Sequence, residues 1–191
     1  MYEIDADKNE IKLHREFRMP EVAVPFDFDG SRILWMEYKE DQVKEFQYYD
    51  LAQKKIFPIK EFDKDYHFLS HGRIVGKELI FVENNKNIKS YHLESKVQRD
   101  LYHHNSSIVA FSVINRDSPD YEIISVDFNG FLKLWKNSSV IQTVPLWDLP
   151  QVPQDVKKHQ YLFDMGYAYY IQKYREVIAV TTDLGLFAFT L

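Results

Sequence analysis

The feature that most constrains the fold of this chain is a recurring pattern of strand, tight turn and strand. Its first occurrence runs from Phe26 to Trp35, where alternating apolar residues lead into Asp29-Gly30 and a second apolar run follows. Three later segments repeat this cadence, and no segment shows helical periodicity over twelve or more residues. The sequence therefore predicts an all-β protein made of small antiparallel sheets.

The repeats divide the chain into four units within one domain, 1–191. Because only 6 glycines and 7 prolines punctuate the sequence, no low-complexity linker separates these units. The predicted units cover residues 21–62, 66–104, 106–149 and 159–191. Their second strands begin near Ile33, Leu79, Ile123 and Val177. Spacings of this size are at or just above those typical of β-propeller blades.

Composition excludes several classes of protein. Hydrophobic residues make up 45% of the chain and aromatic residues 16%, which argues against disorder. The net charge of −5 provides no general basic surface for binding phosphates. The absence of cysteine excludes disulfides, thiolate nucleophiles and Cys-based zinc sites. No apolar run approaches the roughly 20 residues that a membrane span needs, and we expect an intracellular location, in the cytoplasm or the nucleus.

Three segments resemble the repeats of WD40-type β-propellers. The best match is Ser125–Trp135, which has a small residue in a strand, an Asp-x-x-Gly turn and a strand that ends in Trp. The other two are Phe26–Trp35 and Thr182–Phe189, the last with Phe in place of Trp. The resemblance implies a β-propeller, or part of one, with four-stranded antiparallel blades and a role in binding other proteins.

The chain departs from the WD40 pattern at its histidines. No unit has the Gly-His dipeptide in place, and Ser70-His71-Gly72 contains the two residues only in the reverse order. The sequence therefore gives no basis for the buried His-to-Asp hydrogen bond that steadies many WD40 blades. We interpret Asp127 and Asp183 as turn-closing residues whose carboxylates accept backbone N–H groups.

The first eighteen residues leave the closure of the ring open. WD40 rings usually have about seven blades, whereas this chain has about four. The segment 1–18 is either a closing outer strand, as ring closure in this family implies, or the remnant of an upstream blade. A hairpin between Tyr2–Asp5 and Glu10–Phe17 is not needed for closure, so we favour a fragment or a half-ring completed elsewhere.

The sequence provides no convincing catalytic or metal-binding constellation. The oxygen-rich segment Asp5–Glu16 has Glu10 where a calcium loop needs glycine, which favours a polar turn. In Asp63–His67 and in His103-His104, neighbouring side chains of a strand would point to opposite faces. No nucleophile motif or phosphate-binding glycine loop occurs. We therefore expect no enzyme activity, no metal, no cofactor and no small-molecule ligand.

The predicted function is that of a protein–protein interaction scaffold. Tyr and Trp are frequent at interfaces, so the candidate partner-binding residues are Leu146 and Trp147, between Pro145 and Pro150, and the two tyrosines Tyr167 and Tyr170. The expected partners are other protein subunits, including a propeller or β-sheet that would complete an open ring. We expect most of the aromatic residues from Tyr161 to Tyr174 to pack between blades.

Two other function classes remain as alternatives. A subunit of a nucleic-acid complex would use a local basic face made of Lys54-Lys55, Lys86–Lys89 and Lys157-Lys158. An enzyme would place its site at the central channel of the propeller, where convergent carboxylates would be needed.

Overall fold

The chain forms antiparallel sheets that follow one another along the sequence. The computed structural model describes residues 2–5, 10–13, 23–39, 43–62, 69–137, 139–148, 170–174, 177–182 and 185–190. Within these ranges, no helix is long and apolar enough to cross a membrane. The aromatic segment predicted to pack between blades lies mostly outside them, as do Lys157-Lys158 and the segment 63–68.

Each sheet is a meander of consecutive strands. A short hairpin pairs β1 (Tyr2–Asp5) with β2 (Glu10–Leu13). The first four-stranded sheet contains β3 (Ala23–Phe28), β4 (Arg32–Lys39), β5 (Val43–Asp50) and β6 (Lys55–Phe62). The second contains β7 (Leu69–Val75), β8 (Glu78–Glu83), β9 (Asn87–His92) and β10 (Gln98–His103). The third contains β11 (Ile108–Ile114), β12 (Glu122–Asp127), β13 (Phe131–Lys136) and β14 (Ser139–Pro145). In the last sheet the described residues form three strands, β15 (Tyr170–Tyr174), β16 (Val177–Thr182) and β17 (Gly185–Thr190).

Contacts between sheets are made chiefly by their first strands. Strand β7 contacts β3 on one side and β11 on the other, and β11 also contacts β15. The first strand of each sheet is therefore the inner one, and in the four-stranded sheets the fourth strand is the outer one. We call the four sheets blades 1 to 4. The prediction of an all-β fold with four-stranded antiparallel blades is confirmed.

Blades 1 and 2 are held together by an apolar cluster at their seam. Strands alternate their side chains between two faces, and one face of each blade supplies half of the cluster. Aromatic rings continue across the seam, with Phe26 5.6 Å from Phe46 and Phe46 6.0 Å from Phe81 between ring centroids. The buried members are Leu34, Met36, Phe46, Ile59, Ile74, Leu79, Phe81 and Tyr91.

A second cluster holds blades 2 and 3 together. Its buried members are Val75, Ile80, Val82, Ile88, Ile108, Phe111, Val113, Ile123 and Trp135. Strand β8 therefore contributes to both seams, which explains why every residue from Leu79 to Glu83 is buried. Strand β12 has the same burial pattern as β8, and β13 has the same pattern as β9. The repeat seen in the sequence is thus a repeat in packing.

The alternation of apolar and polar residues in Ile88–Leu93 predicts a strand with one solvent-exposed face. The strand is confirmed, but the exposed face is wrong. The strand is present as β9, but its Lys89 side chain is only 15% exposed. The amine of Lys89 forms an ion pair with the buried carboxylate of Glu83. Both faces of the strand are covered because blades pack on each side of it.

At two glycine positions a residue with a side chain would strain the backbone or clash with a neighbouring side chain. Gly30, in the turn between β3 and β4, has a φ of 95°, which L-amino acids with a side chain rarely adopt. At Gly72 an added Cβ would lie 3.0 Å from Cε1 of Phe46 and 3.2 Å from Cδ2 of Leu34. The inner strand of blade 2 can therefore approach blade 1 closely only because residue 72 lacks a side chain.

Candidate interaction site

A pocket forms where the turns after three inner strands come together. Blade 1 contributes the turn between β3 and β4, blade 2 the turn at Gly76, and blade 3 the loop that follows β11. The pocket encloses about 560 Å³ and opens to solvent. Its lining residues are Phe28, Asp29, Ser31, Arg32, Ile74, Gly76, Arg116 and Asp117. We call it the Phe28 pocket, because Phe28 is its one aromatic side chain.

The carboxylate of Asp27 joins the three blades beneath this pocket. Its Oδ2 accepts a hydrogen bond from Nη1 of Arg116 at 2.8 Å and one from the backbone N–H of Ile74 at 3.0 Å. Asp27 belongs to blade 1, Ile74 to blade 2 and Arg116 to blade 3. The Asp27 side chain is 6% exposed, so solvent does little to weaken the ion pair.

Arg73 makes a second connection between the inner strands. Its Nη1 donates hydrogen bonds of 2.7 Å to the carbonyl oxygens of Phe26 and Gly72, and its Nη2 donates one of 3.3 Å to Phe111. The guanidinium carbon also lies 5.9 Å from the centre of the Phe111 ring. Because a guanidinium has five N–H donors in a fixed plane, one side chain can bind carbonyls from three blades.

The rim of the pocket on blade 1 is fixed by a closed turn. Asp29 Oδ1 accepts the backbone N–H groups of Ser31 at 2.9 Å and Arg32 at 2.7 Å. Burial alone would raise the pKa of Asp29, but these hydrogen bonds and the Arg32 guanidinium hold the pKa below its usual value. Arg32 also donates to the carbonyl oxygen of Gly76 at 2.8 Å, which ties this turn to blade 2.

The Phe28 side chain remains exposed in this rigid setting. It is 46% exposed, whereas Asp27 and Asp29 beside it are engaged by arginines and backbone amides. An apolar ring held at the rim by hydrogen-bonded turns offers contact area with little loss of freedom on binding. The arrangement suits recognition of a protein surface by shape and apolar contact.

Blade 3 contains a buried hydrogen-bonded chain of four side chains. Nε1–H of Trp135 donates to Oγ of Ser125 at 2.8 Å, and this hydroxyl lies 2.7 Å from Nε2 of His104. Nδ1 of His104 lies 3.2 Å from Oδ2 of Asp127. The hydroxyl can accept from Trp135 and donate to Nε2 only if the imidazole proton is on Nδ1, from which it is donated to Asp127.

This chain of bonds corrects the interpretation of the histidines. The buried His-to-Asp bond that could not be assumed from the sequence is present, and His104 supplies it. Asp127 is also a turn-closing residue, since its Oδ1 accepts the N–H groups of Asn129 at 3.1 Å and Phe131 at 3.0 Å. Burial lowers the pKa of His104 more than the hydrogen bond to Asp127 raises it, which favours the neutral imidazole.

The predicted partner-binding residues lie in two places. Leu146 and Trp147 are in a 3-10 turn, Leu146–Asp148, that directly follows β14. Leu146 is 2% exposed, whereas Trp147 is half-buried with its ring 4.8 Å from that of Phe131 in an edge-to-face contact. Tyr170 begins β15, and Tyr167 lies outside the described residues. A partner-binding role for these four residues stays a prediction.

The lysines of the alternative basic face are partly engaged within the fold. Lys89 pairs with Glu83 and lies 3.2 Å from Asp100. Lys55 lies over the Phe57 ring at 5.4 Å from its centre. Lys86 and Lys54 are exposed in turns of different blades. Within the described residues, these lysines do not make one continuous basic patch that favours nucleic acid.

A largely buried histidine at the seam between blades 2 and 3, His71, leads to a prediction about pH. The His71 ring stacks on Phe111, and its burial, aided by the charge of Arg73, lowers its pKa to about 4. A histidine with a lowered pKa contributes stability above its unfolded pKa, near 6.5, and loses it as the pH falls towards 4. We expect His71 to cost the fold about 2 kcal/mol of unfolding free energy between pH 7 and pH 5.

Urea unfolding of the wild type and of His71→Phe at pH 7.5 and pH 5 would measure this effect. Phenylalanine keeps a ring against Phe111 but has no proton to gain, so the variant should lose less stability on acidification. The pKa of His104 is also lowered, so His104 would still contribute to the loss of stability that the variant shows on acidification. An equal loss in the two proteins would contradict the assignment to His71.

Comparison with solved structures identifies the architecture. The chain matches the computationally designed Ika4 protein with a TM-score of 0.55 at 11% identity, over 86% of this chain and 88% of that one. It matches the N-terminal domain of Nup159, a β-propeller, with a TM-score of 0.54 at 12% identity, over 93% of this chain and 43% of that one. The fold is that of a β-propeller or of part of one.

At these identities the likeness concerns the fold alone. A third match, with a TM-score of 0.54 at 12% identity, comes from the structure of S. cerevisiae Dbp5 bound to Nup159, Gle1, IP6 and ADP. The match covers 92% of this chain and 42% of the matched chain. This chain therefore spans less than half of the matched chain in both of these structures. No protein-family model and no curated protein matches the sequence.

Proposed function

We propose that this chain is a non-enzymatic, WD40-like propeller subunit of an intracellular complex, and that it binds a protein partner at the Phe28 pocket. The observation that carries the proposal is the exposure of Phe28 on a rim built from three blades. Burying the remaining surface of such a ring is worth about 2 kcal/mol. The pocket is already ordered by Asp27, Arg73 and Arg32, so little of this energy is lost in ordering it.

The WD40-like part of the proposal is supported by blade 3. Its Trp, Ser, His and Asp side chains form one buried chain of hydrogen bonds, and its Asp closes the following turn. The match to Nup159, which occurs in a solved complex with other proteins, also favours a protein-binding role. Of the charged pocket residues, Arg32 and Arg116 join blades and Asp29 closes its own turn, which favours docking over catalysis.

Replacement of Phe28 by serine tests the proposal with a close internal control. Phe128 is also an exposed phenylalanine, at 39%, but it lies in the turn between β12 and β13, at the opposite end of the strands. We expect Phe28→Ser to weaken partner binding roughly fivefold to thirtyfold, because about 1–2 kcal/mol of apolar contact is removed. Phe128→Ser should retain the partner. Both variants should unfold at nearly the same denaturant concentration as the wild type.

The measurement is quantitative affinity purification from the native cells, followed by titration of the purified partner against each variant. A partner that is lost with Phe28→Ser and kept with Phe128→Ser supports the proposal. A partner that binds both variants as tightly as the wild type, or no partner at all, contradicts it.

A further inference from the structure

The outer strand of blade 3 has an unusual surface. All five residues from Ser139 to Thr143 are exposed, so both faces of β14 are open to solvent along this stretch. Val140 is 44% exposed and Ile141 is 53% exposed. Strand β14 pairs with β13 on its inner side, and within the described residues no strand pairs with its outer edge.

The outer strands of blades 1 and 2 carry the features that usually discourage pairing with another chain. Charged residues and proline on an edge strand oppose the addition of a further strand. Strand β6 contains Lys55, Pro58 and Lys60, and β10 contains Arg99 and Asp100. Strand β14 has no charged residue, and its only proline is the last residue.

Bulges do not account for this difference. The register shifts by one residue in each of the three outer strands, at Ile59 in β6, at Leu101 in β10 and at Ile141 in β14. Each of the three edges therefore contains a bulge at which the strand bends. Charge distinguishes β14 from the other two, and its β-branched side chains favour extended pairing.

We propose that β14 pairs antiparallel with β14 of a second copy of this chain, so that two propellers form a symmetric dimer. An antiparallel pair of identical strands has a two-fold axis, and each residue meets a residue of the same strand. An axis at Gln142 places Val140 beside Val144, Ile141 beside Thr143 and the two Gln142 amides together. Each of these pairs is compatible, since none buries a charge.

The charges near the ends of β14 are compatible with the antiparallel arrangement. Ser139, the first residue of the strand, pairs with Lys136, whose amine lies 3.2 Å from Glu122 of its own blade. Asp148, which is exposed, follows the other end of the strand. Antiparallel pairing places the two copies of each charge at opposite ends of the paired strands, whereas parallel pairing would bring like charges side by side.

The strand is short, so the dimer should be weak. Seven residues extend about 23 Å, and the contact area is smaller than that of a tight complex. We expect a dissociation constant on the order of micromolar to tens of micromolar, which sedimentation equilibrium up to about 200 µM would measure. Ile141→Lys places a charge at the centre of the contact and should weaken the dimer at least about tenfold.

Two controls make the experiment specific to β14. Val97→Lys changes an exposed apolar residue, 47% exposed, beside the outer strand of blade 2, and it should leave the dimer intact. Because the chain has no cysteine, Gln142→Cys introduces a single thiol at the proposed axis. Paired strands bring the two Cα atoms to about 5 Å, so oxygen with copper–phenanthroline should join them by a disulfide. Arg99→Cys, on β10, should form no disulfide-linked dimer under the same conditions.

A concentration-dependent dimer that Ile141→Lys abolishes, together with crosslinking at residue 142 and not at 99, supports the proposal. A monomer throughout the concentration range overturns it and leaves the edge to a strand from another protein or from this chain. A dimer that Ile141→Lys leaves intact, or that crosslinks at residue 99 and not at 142, also overturns it. These outcomes are separate from the Phe28 proposal, because Phe28 and β14 belong to different blades.

Discussion

Replacement of Trp135 by alanine is expected to lower the free energy of unfolding by about 3–5 kcal/mol. The Trp135 side chain is 4% exposed, stacks on Tyr102 with 4.6 Å between ring centroids and contacts the edge of His104 at 5.2 Å. Its loss would leave a cavity at the seam between blades 2 and 3 and remove the N–H that Ser125 accepts. Urea denaturation at pH 7.5 would measure the change.

A smaller substitution separates the hydrogen bond from the packing. Trp135→Phe keeps an aromatic ring but removes the indole N–H, and Ser125→Ala removes the hydroxyl that this N–H meets. Because these two groups share one hydrogen-bonded chain with His104, the two losses should not add, and the interaction energy of the double mutant should exceed about 0.5 kcal/mol. Phe128→Ala, on the surface, is the control and should change stability by less than about 0.5 kcal/mol. Additive losses in the cycle would contradict a connected network.

Replacement of Asp27 by alanine is expected to cost about 2–4 kcal/mol of unfolding free energy. The substitution leaves the N–H of Ile74 and the guanidinium of Arg116 without this acceptor, and it removes a carboxylate that contacts both blades 2 and 3. Asp27→Asn keeps the shape and one acceptor oxygen but loses the charge, so its cost should be intermediate. The midpoint of chemical unfolding would measure both.

A test with Arg116→Gln shows which contact of Asp27 accounts for the lost stability, the ion pair with Arg116 or the hydrogen bond from the N–H of Ile74. If the ion pair between blades 1 and 3 matters, Asp27→Ala should cost less in the Arg116→Gln background than in the wild type. The exposed Lys77–Glu94 pair, in which both side chains are about two-thirds exposed, serves as the reference, and Glu94→Gln should have little effect. An Asp27→Ala protein as stable as the wild type would contradict the role of this carboxylate.

The strands of blade 1 were predictable because each has a clear local pattern. The sequence predicts strands at Arg32–Met36, Val43–Tyr48 and Lys55–Ile59, and these segments lie within β4, β5 and β6. Strands β10 and β14 were not identified, because neither outer strand has a fully buried residue and neither shows a clear alternation of apolar and polar residues. The same exposure that hides β14 in the sequence makes it available for pairing.

The contacts between blades were harder to predict than the strands. His104 lies 21 residues before Ser125 and outside any strand, so only the three-dimensional turn between β10 and β11 brings the two together. The segment that contains Ser125, Asp127 and Trp135 was recognisable by its resemblance to WD40 repeats, and a histidine shortly before the first strand of the unit was the signal that could have revealed His104. Asp27 and Arg116 are 89 residues apart, and nothing in their local sequences indicates that they meet.

The most direct test of a docking surface on this propeller is site-specific photocrosslinking in the native cells. Benzoylphenylalanine at position 28 places the reactive ketone at the rim of the pocket, and the same group at position 128 is the matched control. We predict a discrete crosslinked protein from position 28 that is absent from position 128. Equal crosslinking at both positions, or none at position 28, would contradict the proposal that this face binds a partner.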